Sequence, residues 1–153
     1  MWIDHAVTMI NDRNPHKIVK MNNSGVHYMF SGRFDSAYLS DLYGGDLDTA
    51  MEIFESSIHH ISTELNIAVS RFNSGDPEAL RRVFHKMKPL FGYVGLPALQ
   101  DYVQRFEQRC CDVKHNEELR KEYDDITSVI GDTLSMLRQE LFRMQSFNNA
   151  KVS

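Results

Sequence analysis

The chain has 153 residues, of which 42% are apolar, and its formal net charge is -4. This length supplies one ordinary hydrophobic core and is too short for two full domains. The negative balance lacks the excess of positive charge that binding to a phosphate backbone usually needs, so we expect no nucleic-acid partner. No stretch approaches the roughly 18 apolar residues of a membrane span, and the N-terminus lacks a signal-peptide pattern, so we expect no membrane association and a cytoplasmic location.

The first part of the chain differs from the rest. Residues 1–33 contain turn formers and no sustained helical stripe, which predicts an N-terminal extension that is partly disordered or loosely docked. From Phe34 the apolar spacing predicts a short helix that stops at Gly44–Gly45. Asp46 is placed to cap a second helix, whose apolar stripe continues to Phe72 before Asn73, Ser74 and Gly75 end it.

Three further helices follow with short connections. Asp76, Pro77 and an acid in the first turn predict the start of the third helix, which runs to Gly95. Pro97 predicts the start of the fourth helix, and a fifth apolar stripe begins at Glu117. No segment has the alternating pattern of a β-strand.

These patterns together predict an all-α protein. Four substantial amphipathic helices with short connections pack most simply as an antiparallel up-down four-helix bundle, with the short additional N-terminal helix closing one end. The predicted organisation is an extension over residues 1–33, the bundle over residues 34–147 and a tail over residues 148–153.

The third helix has a histidine on its outward side. At 100° per residue, His85 projects roughly 140° from the centre of the apolar stripe and therefore faces solvent. Lys88 follows one turn later and Gly92 two turns later on the same exposed strip. A histidine that accepts a phosphoryl group must be reachable, needs a neutral ring nitrogen and benefits from a nearby cation. The strip meets these requirements at His85, with Lys88 as the cation and Gly92 leaving the surface flat.

Two other histidines serve as an internal comparison. His59 and His60 also project away from the apolar stripe of their helix, but neither has a lysine three residues on or a glycine seven residues on. Exposure alone is therefore uninformative, because most surface histidines have no function. The combination of neighbours distinguishes His85.

The two cysteines predict neither a disulfide nor a metal site. Cys110 and Cys111 are adjacent on a predicted helix, where their side chains diverge, so we expect free thiols. Cys111 and His115 have a spacing that places two ligands on one helix face, but zinc would need further ligands.

Positive charge is concentrated around His85. Four cations fall within eight residues, and the sequence contains no carboxylate between Glu78 and Asp101. Such a basic patch favours docking of a partner whose own site is acidic. Its members are Arg81, Arg82, Lys86 and Lys88.

The segment from Phe84 to Leu99 resembles the motif of the histidine phosphotransfer (HPt) domain family. That motif has a histidine, a lysine three residues on, small residues next, an apolar–Gly pair at nine and ten, and an apolar residue at fourteen. The helix order and the lead-in before Leu80 are also similar to that family. The resemblance covers residues 34–147, and its motif and docking positions include Arg81, Arg82, Lys86, Pro89, Gly92 and Gly95.

The resemblance implies a role for the whole chain. It implies that His85 is the phosphoacceptor and that Lys88 stabilises the phosphoryl group. It also implies that response-regulator receiver domains are the partners, with a hybrid histidine kinase as a further candidate. The chain would need no cofactor of its own, since the receiver would supply Mg²⁺, and we expect a monomer.

Two residues depart from the family pattern. Pro89 stands where the family often has glycine, and because proline lacks an N–H we predict a kink beside His85. Glu107, 22 residues after His85, stands where many members have a glutamine that can hydrogen-bond the phosphoryl group. We hypothesise either that Glu107 pairs with Lys88 while Gln104 or Gln108 acts as the donor, or that phosphohistidine is less stable here.

Two alternative functions are also compatible with parts of this sequence. The chain could be a docking module that binds receivers without transferring phosphate, which Pro89 and Glu107 keep open. It could also be the phosphoacceptor part of a histidine kinase, but Pro89 comes four residues after the histidine rather than five, and no acid follows His85 directly. Because the chain has no Gly-rich nucleotide loop, we predict a phosphoryl carrier and not an enzyme.

Overall fold

A computed structural model describes residues 27–152, so the first 26 residues of the predicted extension lie outside the described part of the chain. The described residues form five α-helices and one 3₁₀ helix, and they contain no β-strand. The all-α class is therefore confirmed. None of these helices is both long and apolar enough to cross a membrane. The helices are α1 (Ser36–Tyr43), α2 (Leu47–Asn73), α3 (Pro77–Tyr93), α4 (Pro97–Cys111) and α5 (Arg120–Val152), with the 3₁₀ helix at Asn116–Leu119.

Aspartate side chains fix the starts of the first three helices. Asp35, Asp46 and Asp76 each accept a hydrogen bond of 3.0 Å from a backbone N–H in the first turn of the helix that follows. A cap of this kind contributes about 1 kcal/mol, because it satisfies a donor that has no partner within the helix. Pro77 then occupies the first turn of α3, where its missing N–H has no cost.

The connection between α4 and α5 differs from the prediction. We predicted that the last helix begins at Glu117, but that residue lies in the 3₁₀ helix and α5 begins at Arg120. The buried Asn116 side chain donates hydrogen bonds of 3.1 and 2.9 Å to the carbonyls of Arg71 and Phe72 at the end of α2. These bonds hold the chain in a tighter turn before α5 starts.

The core lies between four long helices. α3 packs against both α2 and α4, and α5 packs mainly against α2. The rings of Phe84 and Phe106 join α3 to α4 with centroids 4.5 Å apart, and Phe72 stacks on Tyr123 of α5 at 4.1 Å. α3 is thus held on both flanks, which leaves one face outward. The largest fully buried side chains are Leu39, Phe54, Ile61, Leu80, Phe84, Met87, Phe91, Leu119, Ile126, Ile130, Leu137 and Met144.

Residues 27–33 of the predicted extension contact the last helix. The carboxylate of Glu140, a buried residue of α5, accepts hydrogen bonds from the Tyr28 hydroxyl at 2.5 Å and from the Ser31 N–H at 3.2 Å. Arg143 pairs with the same carboxylate at 2.8 Å. This part of the extension is therefore attached to the bundle. At the other boundary, α5 continues past residue 147 to Val152, so most of the predicted tail is helical.

Candidate functional site

His85 lies on the outward face of α3, and its side chain is 61% exposed. Its neighbours Phe84 and Met87 are buried on the opposite side of the helix. The prediction that His85 faces solvent is confirmed. The position follows from helical periodicity alone, since the apolar residues that α3 buries turn His85 outward.

Glu107 brings α4 into this site. Although the residue is only 8% exposed, its carboxylate contacts three cationic or ring nitrogens of α3. Oε1 lies 2.6 Å from Nδ1 of His85 and accepts a hydrogen bond of 3.2 Å from Nη1 of Arg81. Oε2 accepts a hydrogen bond of 3.0 Å from Nζ of Lys88. The hypothesis that Glu107 pairs with Lys88 therefore agrees with the geometry.

The charge of Glu107 determines which ring nitrogen of His85 holds the proton. Burial raises the pKa of the Glu107 carboxyl, but the hydrogen bonds and charges of Lys88 and His85 lower it by more, so the pKa lies below its ordinary value. An ionised carboxylate can only accept hydrogen bonds. Nδ1 of His85 must then be the donor, and the neutral ring keeps its lone pair on Nε2, on the far side from Glu107.

Two of the four cations point into the site. The side chains of Arg81 and Lys88 are 28% and 24% exposed, and both reach Glu107. The other two, Arg82 and Lys86, are 69% and 66% exposed and lie on the open surface beside His85. The predicted basic patch thus divides into an inner pair at the carboxylate and an outer pair that a partner can contact.

Carboxylates from the same helix and from neighbouring helices offset much of this charge. Glu78 accepts hydrogen bonds from both Arg81 and Arg82, and Glu64 of α2 lies 4.0 Å from Lys86. The hydrogen bond from Arg81 is the main reason that the pKa of Glu78 is lowered to about 2. The sequence suggested an unopposed basic patch, but the fold places a carboxylate next to each of its cations. The field around His85 is correspondingly weaker than we predicted.

The residues after Lys88 have different surroundings. α3 continues through Pro89 to Tyr93, and the kink predicted at this proline stays a prediction. Gly92 is half-buried beside α4, where a Cβ atom would lie 2.9 Å from Oε1 of Gln100. Gln100 is a neighbour that the sequence did not reveal.

Gly95 is a residue of the interior, which corrects its assignment to the docking surface. It is buried, it has a φ of +75°, and a Cβ atom there would lie 2.7 Å from the side chain of Leu39. Only glycine combines this backbone conformation with such a close approach. Gly95 therefore ends α3 and allows α1 to pack against it.

The other polar residues predicted near the site lie outside it. Gln104 and Gln108 are exposed on α4, whereas Glu107 is the residue of that helix that turns inward to His85 and Lys88. A donor role for either glutamine stays a prediction. The contact of Arg81 with Glu107 was not predicted, although Arg81 stands one helical turn before His85 and so shares its face.

Both cysteines are free, as predicted. Burial raises the pKa of the Cys110 thiol to about 12, while Cys111 is exposed at the end of α4. Within residues 27–152, no three His, Cys, Asp or Glu side chains are grouped so that they could hold a metal ion.

The described residues form a helical bundle in which α3 exposes His85, with Lys88 and the carboxylate of Glu107 close to one another beside it, an arrangement suited to a histidine phosphocarrier. The family model described as Hpt domain matches residues 49–142, which is more than half of the chain and includes His85, Lys88 and Glu107. The chain belongs to the Hpt domain family. No curated protein and no solved structure gives a significant match. Hpt domains are phosphocarriers of two-component phosphorelays and interact with receiver domains and kinases.

Proposed function

We propose that this protein relays a phosphoryl group between aspartates of response-regulator receiver domains through a phosphohistidine at His85. The observation that supports this most strongly is the 2.6 Å contact between Nδ1 of His85 and the Glu107 carboxylate. That contact leaves Nε2 as a nucleophile on the exposed side of the ring. We also infer that α2 to α5 run alternately up and down, which makes α3 and α4 the neighbouring pair that forms the site.

The transfer step uses Nε2 of His85. Its lone pair attacks the phosphorus of the receiver's aspartyl phosphate in line, the Nε2–P bond forms, and the P–O bond breaks as the aspartate leaves with the electron pair. The ring becomes cationic and keeps its proton on Nδ1, where Glu107 accepts the hydrogen bond. Mg²⁺ and most of the transition-state stabilisation belong to the receiver, and this chain needs no cofactor of its own.

Lys88 is the group that stabilises the product. Its ammonium lies 3.0 Å from Oε2 of Glu107, and it follows His85 by three residues on the same helix face. A new phosphoryl group on Nε2 offers Lys88 a second anionic partner with up to two negative charges. A hydrogen bond between two charged groups is about twice as strong as a neutral one, so Lys88 stabilises phosphohistidine by turning towards it.

The outer cations favour a receiver as the partner. Arg82 and Lys86 are well exposed near His85 on α3, and the phosphorylation site of a receiver is a cluster of carboxylates. Opposite charges at the rim of an interface mainly raise the rate of encounter and fix orientation. Gly92 has no side chain that would stand between His85 and an approaching active site.

The decisive experiment transfers labelled phosphate from a phosphorylated receiver to this protein. The wild type should acquire a label that is labile in acid and stable in base, and His85→Gln should acquire none. His59→Gln is the matched control, because His59 is an exposed histidine on α2 and its loss should leave transfer unchanged. If several receivers bind but none transfers its label, the protein is a docking module and the proposal is wrong.

Oligomeric state separates the carrier from a fragment of a histidine kinase. A phosphoacceptor region of a kinase requires a dimer, whereas we expect a monomer. Size-exclusion chromatography with light scattering measures the mass directly, and a stable dimer would contradict the carrier role.

A further inference from the structure

Arg81 connects two carboxylates beside the phosphoacceptor. Its Nε and Nη2 atoms donate hydrogen bonds of 2.7 and 2.8 Å to Glu78, and Nη1 donates to Oε1 of Glu107 at 3.2 Å. The planar guanidinium fixes these donors in one geometry, which an ammonium group could not reproduce. With only 28% of the side chain exposed, Arg81 is held in place rather than free in solvent.

The oxygen that Arg81 holds is the one that contacts His85. Oε1 of Glu107 receives both Nη1 of Arg81 and Nδ1 of His85, while Oε2 receives Lys88. The carboxylate is therefore held from two sides by groups with separate roles. If Lys88 turns to a phosphoryl group, Arg81 is the cation that stays on Glu107.

We propose that Arg81 is a positioning residue of the phosphoacceptor site: it keeps Oε1 of Glu107 on Nδ1 of His85 and allows Lys88 to leave Glu107 for the phosphoryl group. This inference rests on the proposed function of His85. Its physical basis is the cost of a buried carboxylate without a cation, which would otherwise keep Lys88 at Glu107.

The charged groups around this oxygen come from three helices. α3 provides Glu78, Arg81, Arg82 and Lys88, and α2 provides Glu64, which lies beside Lys86. From α4 come Glu107 and the titratable thiol of Cys111, whose Sγ lies 3.9 Å from the backbone carbonyl oxygen of Glu107. Of the cations in this set, Arg81 and Lys88 contact Glu107.

Arg81→Gln tests the proposal, with Arg82→Gln as the matched control. Both variants remove one positive charge from α3 and one partner of Glu78, but Arg81 contacts Glu107 and Arg82 does not share that contact. We expect Arg81→Gln to transfer phosphate about three- to tenfold more slowly than Arg82→Gln, since one charge-assisted hydrogen bond is lost. Stopped-flow mixing with a phosphorylated receiver measures the rate.

A second readout does not depend on a receiver. Diethyl pyrocarbonate modifies neutral imidazole, so the pH dependence of His85 modification, followed by mass spectrometry, reports when the ring is neutral. Because the positive charge of Arg81 lies near the ring, we expect Arg81→Gln to need a higher pH than the wild type for the same extent of His85 modification. Arg82→Gln should shift the pH dependence of His85 modification by less than half as much. Arg81→Lys should restore this pH dependence, because the positive charge returns, but it should restore only part of the transfer rate.

The outcomes separate the two proposals. Equal transfer rates and equal pH profiles in Arg81→Gln and Arg82→Gln would overturn the role of Arg81 while leaving the relay intact. A wild type that accepts no label would overturn the relay, and the modification profile would still show whether the charge of Arg81 acts on His85. If Arg81→Gln lowers the melting temperature by more than a few degrees, Arg81→Lys decides: full restoration of both rate and profile would contradict the two-carboxylate bridge.

Discussion

Replacing Glu107 with glutamine keeps the shape of the side chain and removes its charge. The carboxylate accepts hydrogen bonds from Arg81 and Lys88 and lies against His85. Glutamine has only one acceptor oxygen, and its NH₂ group, which is itself a donor, would face one of these donors. A hydrogen bond to a charged group contributes about 1.5–3 kcal/mol and a neutral one about 0.5–1.5 kcal/mol. Because Arg81 and Lys88 are about a quarter exposed, solvent screening reduces the difference, and we expect a loss of about 1–3 kcal/mol in unfolding free energy.

The same substitution acts on the phosphoryl chemistry in two opposite ways. As the phosphoryl group arrives, the His85 ring becomes cationic, and losing the charge of Glu107 removes about 1–1.5 kcal/mol of stabilisation, or about a tenfold lower transfer rate. After transfer, Lys88 no longer has a competing carboxylate and the new amide can donate to the phosphoryl group. Phosphohistidine should therefore form more slowly and last longer.

Single-turnover transfer from a labelled receiver measures the rate, and decay of the isolated phosphoprotein measures the lifetime. Asp101→Asn is the matched control, because it removes an exposed carboxylate from the same helix and should change neither quantity. An unchanged rate together with an unchanged lifetime in Glu107→Gln would refute the role assigned to this carboxylate.

Three further outcomes are expected. Lys88→Ala should shorten the phosphohistidine lifetime without unfolding the protein, whereas Lys86→Ala, at an exposed position, should not; equal lifetimes would refute the stabilising role. Gly95→Ala should lower the unfolding free energy measured in urea by about 2–4 kcal/mol, because the backbone is left-handed and the new Cβ would clash with buried Leu39. Gly75→Ala, which is also left-handed but has open space around it, should lower it by about 1 kcal/mol. Burial raises the pKa of the Tyr43 hydroxyl above its unfolded value of 10.0. Tyr43 therefore stabilises the folded protein fully below about pH 10, and this stabilisation is lost as the pH rises further. The urea midpoint should fall above about pH 10, and by less in Tyr43→Phe; a parallel fall would contradict this assignment.

The sequence determined the local features of the protein. Aspartate caps and glycine stops give the ends of α1 to α3 because the groups involved lie within a few residues of each other. The exposure of His85 follows in the same way, since the direction of a side chain on a helix depends only on the local backbone and on which face is apolar. The motif around His85 identified the family for the same reason, because it lies within one helix and the turn that follows.

Only the tertiary structure decided which side chains meet across helices. Glu107 contacts a histidine 22 residues away, and Glu140 holds a tyrosine 112 residues away. The sequence presented Glu107 as a departure from a pattern, and the packing of α4 on α3 made it the residue that orients the His85 ring. Such contacts depend on how two helices cross and on the rotamers that their packing allows, and no property of a single helix specifies either.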